Sequence, residues 1–245
     1  LYYFLHESGF FFGSEIKFIK SLCKKNFEIN KDQINKNLFL GYKSLNKSNS
    51  TFYKDIVSLE SSTNLLIDLD LNLIKKKYWQ PKINIDHNMK IEEAINGVKN
   101  NLIKSLELRM RSDVPIAFCL SGGVDSSLLA SHAKKTFNKN ISTFSIIDED
   151  PRYDESENIK HVIDDLKCNH KLIKINNDEN LFFERLKLLT NYHDGPIATL
   201  SYYIHSFLSE NISKKNYRVA ISGTGADELF TGYYDHFLLH FEAMN

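Results

Sequence analysis

Apolar residues fall along this chain in two textures. Over residues 1–80 they come in short bursts that read as β-strands at 1–5, 10–12 and 64–69, with helix-like stretches at 14–25 and 31–38. That half predicts an α+β fold. Beyond a boundary near Gln80-Pro81 the pattern changes, giving domains at 1–80 and 84–245. Ile91, Ala94, Ile95, Val98, Leu102, Ile103 and Leu106 recur at helical spacing and predict a long amphipathic helix over 91–111.

Strand and helix then alternate. A buried-type strand at 114–120 is followed by a helix at 126–137, a strand at 141–147, a helix at 155–165 and a strand at 171–175. Helices at 179–192 and 201–211 lead to a last strand at 217–222. Such alternation predicts an α/β domain, a parallel doubly wound sheet with helices on both faces. Ligands of these sheets sit outside the carboxyl ends of the strands, where strand order reverses. No internal repeat is present, and the Lys/Asn/Ser-rich segment 46–50 reads as a surface loop.

Composition narrows the partners. With 42% hydrophobic and 25% charged residues the chain has the balance of a soluble globular protein. Lys+Arg 31 against Asp+Glu 31 leaves no basic surplus to hold a polyanion, so no nucleic-acid partner is expected. Cys23, Cys119 and Cys168 form no C-x-x-C pair and no zinc spacing, which points to a reduced, cytoplasmic setting. Apolar runs stop far short of the roughly 20 residues of a membrane span, and the start lacks a signal-peptide pattern. Because the first residue is Leu and both ends lie in patterned sequence, the chain reads as part of something longer.

Two glycine motifs carry the chemistry, each at a predicted strand end. Ser121-Gly122-Gly123-Val124-Asp125-Ser126-Ser127 joins a strand to a helix. Its glycines allow a tight turn and close approach, while the helix start offers unpaired N–H donors and the positive dipole end to an anion. Ser121, Ser126 and Ser127 add hydroxyls. Asp125 supplies a hard oxygen that suits a phosphate site only when Mg²⁺ accompanies the anion. No Lys follows Gly123, so the P-loop pattern fails, and the dinucleotide pattern Gly-x-Gly-x-x-Gly is absent. A serine cap and glycine turn account for any two of these residues, but all five fixed positions match by chance at about one start in a million. The second motif, Ser222-Gly223-Thr224-Gly225-Ala226-Asp227-Glu228, again joins glycines to acids. Asp227 at that strand end is expected to face Asp125, giving Mg²⁺ two carboxylates.

The first loop is similar to the Ser-Gly-Gly-x-Asp-Ser pyrophosphate loop of the ATP pyrophosphatases. The series Ser-Asp-Val-Pro (112–115), Leu-Ser-Gly-Gly-Val-Asp-Ser-Ser (120–127), Phe-Ser-Ile (144–146), Asp-Gly-Pro-Ile-Ala (194–198) and Ser-Gly-Thr-Gly-Ala-Asp-Glu-Leu-Phe (222–230) resembles the synthetase domain of glutamine-dependent asparagine synthetases. Leu-Tyr-Tyr-Phe (1–4), Gly-Phe-Phe-Phe-Gly-Ser-Glu-Ile-Lys (9–17) and Tyr-Trp-Gln-Pro (78–81) resemble the closing part of the same family's glutaminase domain. The resemblance implies a PP-loop domain, adenine nucleotide alpha hydrolase-like, preceded by the end of an N-terminal-nucleophile glutaminase domain. It implies an ATP- and Mg²⁺-dependent ligase in which a carboxylate, aspartate first, is adenylated with release of pyrophosphate and then amidated by glutamine-derived ammonia. Carried over residue by residue, Leu120, Ser121, Gly122, Gly123, Asp125, Ser126 and Ser127 would bind ATP and pyrophosphate. Asp125 and Asp227 would act catalytically and hold the metal. Cys119 and Ile146 would touch adenine through their backbones, and Ser222 and Gly223 would contact the adenylate. Partners are then small molecules, with neither nucleic acid nor membrane, and a homodimer is allowed.

Three positions depart from that pattern. Thr224 stands where the family usually has Glu, Thr231 where Gly is common and Gly195 where an acid is common. Thr cannot take a proton at neutral pH, so a base there would have to come from a neighbour such as Glu228. Acceptors other than aspartate, for instance a sugar acid of a bacterial surface glycan, therefore stand as the alternative, together with a non-catalytic remnant of the fold. An RNA-modifying pyrophosphatase would need a basic extension or a Cys pair, and neither is seen. Cys23, between Leu22 and two lysines, reads as structural, so the chain alone is not expected to hydrolyse glutamine. His193 before the Gly-Pro turn reads as structural too, and Phe182, Phe183, Tyr202 and Tyr203 as core.

Overall fold

Alternating apolar residues at the start of the chain pair off as expected. In the computed structural model, which describes residues 1–147, 154–175 and 179–243, strand β1 (Tyr2–His6) runs antiparallel to β2 (Gly9–Gly13). Its other edge meets the two-residue strand β3 (Val57–Ser58). Helices α1 (Ile16–Cys23) and α2 (Lys31–Leu40) lie between, and Asn30 caps α2 by accepting from Gln33 N at 3.2 Å. Phe4, Ile16, Ile19, Phe27 and Ile56 form the local core, with Cys23 packed on its margin. Strand β4 (Thr63–Ile67) pairs with β5 (Leu73–Lys77) across a turn held by Asp68, which accepts from Asp70 N and Asn72 N. Neither β3 nor β5 is visible in the hydrophobic pattern: one is too short, and the other ends in three lysines.

The remaining elements are α3 (Ile91–Arg109), β6 (Ile116–Cys119), α4 (Val124–Ser131), β7 (Ser142–Ile147), α5 (Ser156–Leu166) and β8 (Asn169–Lys174), then α6 (Glu179–His193), α7 (Leu200–Lys214), β9 (Val219–Ile221), α8 (Ala226–Phe230) and α9 (Tyr234–Ala243). Two compact units result, Leu1–Asp86 with Asn177–Tyr203, and His87–Asn176 with Ile204–Asn245. Residues 179–203 thus cluster with the first unit, a grouping that local periodicity does not announce.

In the second unit, β6 to β9 form a parallel sheet in the order β8-β7-β6-β9. Successive residues of β6 feed opposite faces. Phe118 packs with Leu106, Ala130, Ala133, Ile141 and Leu166 under α3, α4 and α5, while Ala117 packs with Phe144, Ile173 and Ile212 under α7. This is the mixed α/β, helix-covered parallel sheet the alternation predicts. Strand order reverses between β6 and β9, so the ends of those two strands flank the crevice where such sheets bind ligands.

Two expectations need correction. The apolar stripe of α3 is buried only at its end: Leu106 is 2% exposed, whereas Ile91 and Ile95 are 67% and 59% exposed. Helix α4 begins at Val124, two residues earlier than the hydrophobic pattern suggests, because the start is set by the glycine turn and not by apolar spacing.

Candidate active site

The loop after β6 is built from its own hydroxyls. Ser121 N donates to Ser126 Oγ at 3.1 Å, the two hydroxyl oxygens lie 3.0 Å apart, and Ser126 Oγ donates to Gly123 O at 3.3 Å. Gly123 N donates to Ser121 Oγ at 3.3 Å. The loop base is fixed to β7, where Leu120 N donates to Phe144 O at 2.9 Å and Leu120 O accepts from the buried Ser145 hydroxyl. Gly122 holds φ +86°, and a Cβ there would lie 3.0 Å from Asn158 Cβ and 3.2 Å from Ile159 N, so α5 leaves no room for a side chain. The first intrahelical bond of α4 is Ser127 N to Gly123 O at 3.1 Å. By helix geometry the N–H groups ahead of it have no intrahelical acceptor and stand at the positive end of the dipole.

The second motif meets the first directly. A Cβ on Gly223 would lie 3.0 Å from both Asp125 Cβ and Ser126 N. Beside this junction, at the carboxyl ends of β6, β7 and β9, opens a cavity of about 480 Å³, within the range of small-molecule sites. Cys119, Leu120, Ser121, Gly123, Asp125 and Ser126 line one side, Ser222, Gly223 and Thr224 another, and Phe144 and Ile146 the sheet floor. Of the residues expected from sequence, Cys119, Leu120, Ser121, Gly123, Asp125, Ser126, Ile146, Ser222 and Gly223 are therefore gathered around one space.

Three are not on its wall. Gly122 faces α5, as above. Ser127 turns inward, and its Oγ is buried without a hydrogen-bond partner among the described residues. Asp227 sits half-buried in the first turn of α8, and its carboxylate packs against Gly232, where a side chain would collide with it. Ser126 lines the cavity, but its hydroxyl is engaged within the loop and the residue is 7% exposed, so its part is to hold the turn.

Electrostatics sort the remaining groups. Burial pushes the Cys119 thiol up to about 11, leaving it neutral at pH 7 and unfit as a nucleophile. Glu228 is off the cavity wall; it accepts from Tyr233 OH at 2.7 Å, and that bond first, then its backbone and His236, holds the carboxyl below its ordinary range. It therefore does not replace the base missing at Thr224. Asp125 is exposed and free to meet a cation. Among the described residues no group of three or more His, Cys, Asp or Glu could hold a metal by itself.

Sequence reasoning missed Glu155, just before α5, and His205, with Ile204 and Leu208 on α7, all of which line the cavity. The α7 pair was legible in principle, since Ile204 and Leu208 are four apart on one helix face with His205 at its edge. His193 makes ring contacts with Tyr192 and Tyr202 at 5.6 and 5.3 Å, in keeping with a structural role. Phe182 and Tyr203 pack at 4.9 Å, but Phe183 and Tyr202 are exposed, so only half of the expected aromatic core forms.

Comparison with known proteins places the chain. The family model described as asparagine synthase matches residues 97–244. A putative asparagine synthetase (glutamine-hydrolyzing) 2 from Methanocaldococcus jannaschii is 35% identical over 239 residues, covering 96% of this chain and 45% of that protein. Asparagine synthetase (glutamine-hydrolyzing) 1 from Bacillus subtilis is 28% identical over 95% of this chain and 35% of its own length. Amidase chyE from Penicillium rubens is 28% identical over 65% of this chain and 26% of its length. The chain thus spans less than half the length of these relatives. A solved ammonia-dependent NAD synthetase from Campylobacter jejuni, in complex with nitrate, overlaps 56% of this chain and 60% of its own at 19% identity and a TM-score of 0.37, too loose a likeness to carry an argument. On the family match, the chain belongs to the asparagine synthase family.

Proposed function

We propose that this chain is the nucleotide-activating part of an amidotransferase that adenylates a carboxylic acid with ATP and passes ammonia to it, giving an amide, AMP and pyrophosphate. The supporting observation is the junction of Gly223 with Asp125 and Ser126 beside the 480 Å³ cavity at the strand-order reversal. In this reading the loop 121–126 and the start of α4 hold the β- and γ-phosphates through backbone N–H groups and the Ser121 hydroxyl. Donors preorganised where charge collects on the leaving group contribute several kcal/mol in a site shielded from water. Cys119 and Ile146 border the adenine, and Ser222 with Gly223 border the acyl-phosphate linkage.

Mg²⁺ would be held by Asp125. Asp227, in the first turn of α8, would share it. When bound, the ion neutralises phosphate charge and so makes pyrophosphate a better leaving group. Residues 1–80 are read as the closing part of a glutaminase domain whose product is the ammonia. Among the described residues no helix is long and apolar enough to cross a membrane.

The names of the relatives point to aspartate as acceptor, in which case the product is asparagine. A second reading, another carboxylate such as a sugar acid, is favoured by Thr224, whose hydroxyl borders the cavity where the family usually places an acid. Phosphorus NMR of the full protein supplied with ATP, Mg²⁺, ammonia and an acceptor acid tests both readings together: AMP and pyrophosphate support them, and ADP with phosphate refutes them.

A further inference from the structure

Another cavity belongs to the first unit. It measures about 280 Å³ and lies where the end of α6 and the turn after it, closed by Gly195 N donating to Thr190 O at 3.1 Å, meet α1 and the segment around Phe52 and Tyr53. None of its lining residues borders the nucleotide cavity, and the proposed reaction makes no use of it. It is lined by one cation and one anion with different neighbours. Lys20 Nζ lies 4.4 Å from the centre of the Tyr53 ring and donates to the Tyr53 hydroxyl at 3.4 Å, both residues being half-buried. Asp194 Oδ2 accepts from Lys17 N of α1 at 3.0 Å, and a carboxylate with two oxygens has capacity for a further donor. Ile29, Ile34, Phe52 and Pro196 supply apolar lining. Gly195 keeps the space in this form, because a Cβ there would lie 2.7 Å from Phe52 Cδ2 and displace that ring.

A half-buried ammonium and a half-buried carboxylate on one small space match a ligand that carries both charges. Lys20 and the Tyr53 O–H can donate to a carboxylate, Asp194 can accept from an ammonium, and the apolar residues can cover a hydrocarbon side chain. A ligand with only one of the two charges leaves one of these protein groups without its match. The volume suits a metabolite smaller than the drug-sized ligands of ordinary pockets. We infer that this cavity is a binding site for a free α-amino acid with an apolar side chain, with Lys20 and Tyr53 holding its carboxylate and Asp194 its ammonium. The inference stands independently of the proposed adenylation.

The test is calorimetric titration of the full protein with L-leucine and L-valine, neither of which serves the proposed reaction. Each is set against the acid that lacks its ammonium and the amine that lacks its carboxylate, which for leucine are 4-methylpentanoate and 3-methylbutylamine. The expected result is one-to-one binding of at least one amino acid with a Kd below about 1 mM, at least about tenfold tighter than its acid or its amine. Lys20→Gln and Asp194→Asn, whose folding is checked by their melting temperatures, are each expected to weaken that binding by about tenfold or more. Absence of binding of both amino acids to the wild type, an acid or amine that binds as tightly as its parent, or unchanged binding in either variant overturns the inference and leaves the proposed function standing.

Discussion

Gly223 lies against Asp125 so closely that a methyl group on the first would stand 3.0 Å from the Cβ of the second. Two loops from distant parts of the chain are thereby in contact at the strand-order reversal, and the order β8-β7-β6-β9 is the reason, since it makes β6 and β9 neighbours. Gly223→Ala should force the loops apart. About 1–3 kcal/mol of strain is expected, read as roughly five- to hundredfold weaker Mg·ATP binding by titration calorimetry. Binding within twofold of wild type would show the contact to be dispensable.

Adjacent glycines in the first loop should behave differently. Gly122 has a positive φ and no space over α5, whereas Gly123 has φ −70° and only the Ser121 hydroxyl, at 3.3 Å, near a Cβ position. Gly122→Ala should lower stability by about 1–3 kcal/mol in urea unfolding, and Gly123→Ala by clearly less. Equal costs would contradict the packing described here.

Ser126→Ala removes the hydroxyl that Ser121 N and Gly123 O both use. A part-buried donor and acceptor lose their partner, so a loss of about 0.5–1.5 kcal/mol in stability is expected, with slower pyrophosphate release as the turn loosens. A Ser126→Ala protein of wild-type stability would mean that water or a backbone shift replaces the hydroxyl.

Glu228→Gln should leave the rate of pyrophosphate release within about threefold, because the carboxyl is bound to Tyr233 and lies off the cavity wall. A working general base would show a loss of about 10²–10⁴. A fall of that size would restore Glu228 to the chemistry.

At the other end of the sheet, burial lowers the pKa of His170 from 6.5, and its Nδ1 lies 2.9 Å from Thr143 Oγ1. The folded state then binds fewer protons than the unfolded state between the folded value and 6.5. This contribution to stability is complete above pH 6.5 and is lost as pH falls through 6.5 toward the folded value. Urea midpoints at pH 7.5 and 5.5 should differ for the wild type, with part of that difference removed in His170→Gln. An unchanged difference would assign the pH dependence to other groups.

How far the residues alone reveal this arrangement depends on range. The parallel sheet follows from alternation, and the place of both loops from glycines that punctuate strand ends. Local pattern fails where distant chain decides. Strand β5 ends in Lys75, Lys76 and Lys77 and is a strand because β4 pairs with it. Ile91 and Ile95 have helical spacing and yet are exposed, which spacing cannot tell from burial. His205 and Glu155 reach the cavity through the placement of α7 and of the approach to α5, neither of which carries a local motif. Asp227 lies in the first turn of α8 with its carboxylate against Gly232, a placement set by the turn out of β9 that no local pattern announces.

Everything returns to whether the Ser121–Ser126 turn, with Asp125, holds pyrophosphate and its metal. The most direct measurement is calorimetric titration of the full protein with inorganic pyrophosphate in Mg²⁺, for wild type and Asp125→Ala. Tight, Mg²⁺-dependent binding that weakens at least about tenfold in the variant is predicted. Equal binding by both proteins, or none by the wild type, would contradict the account.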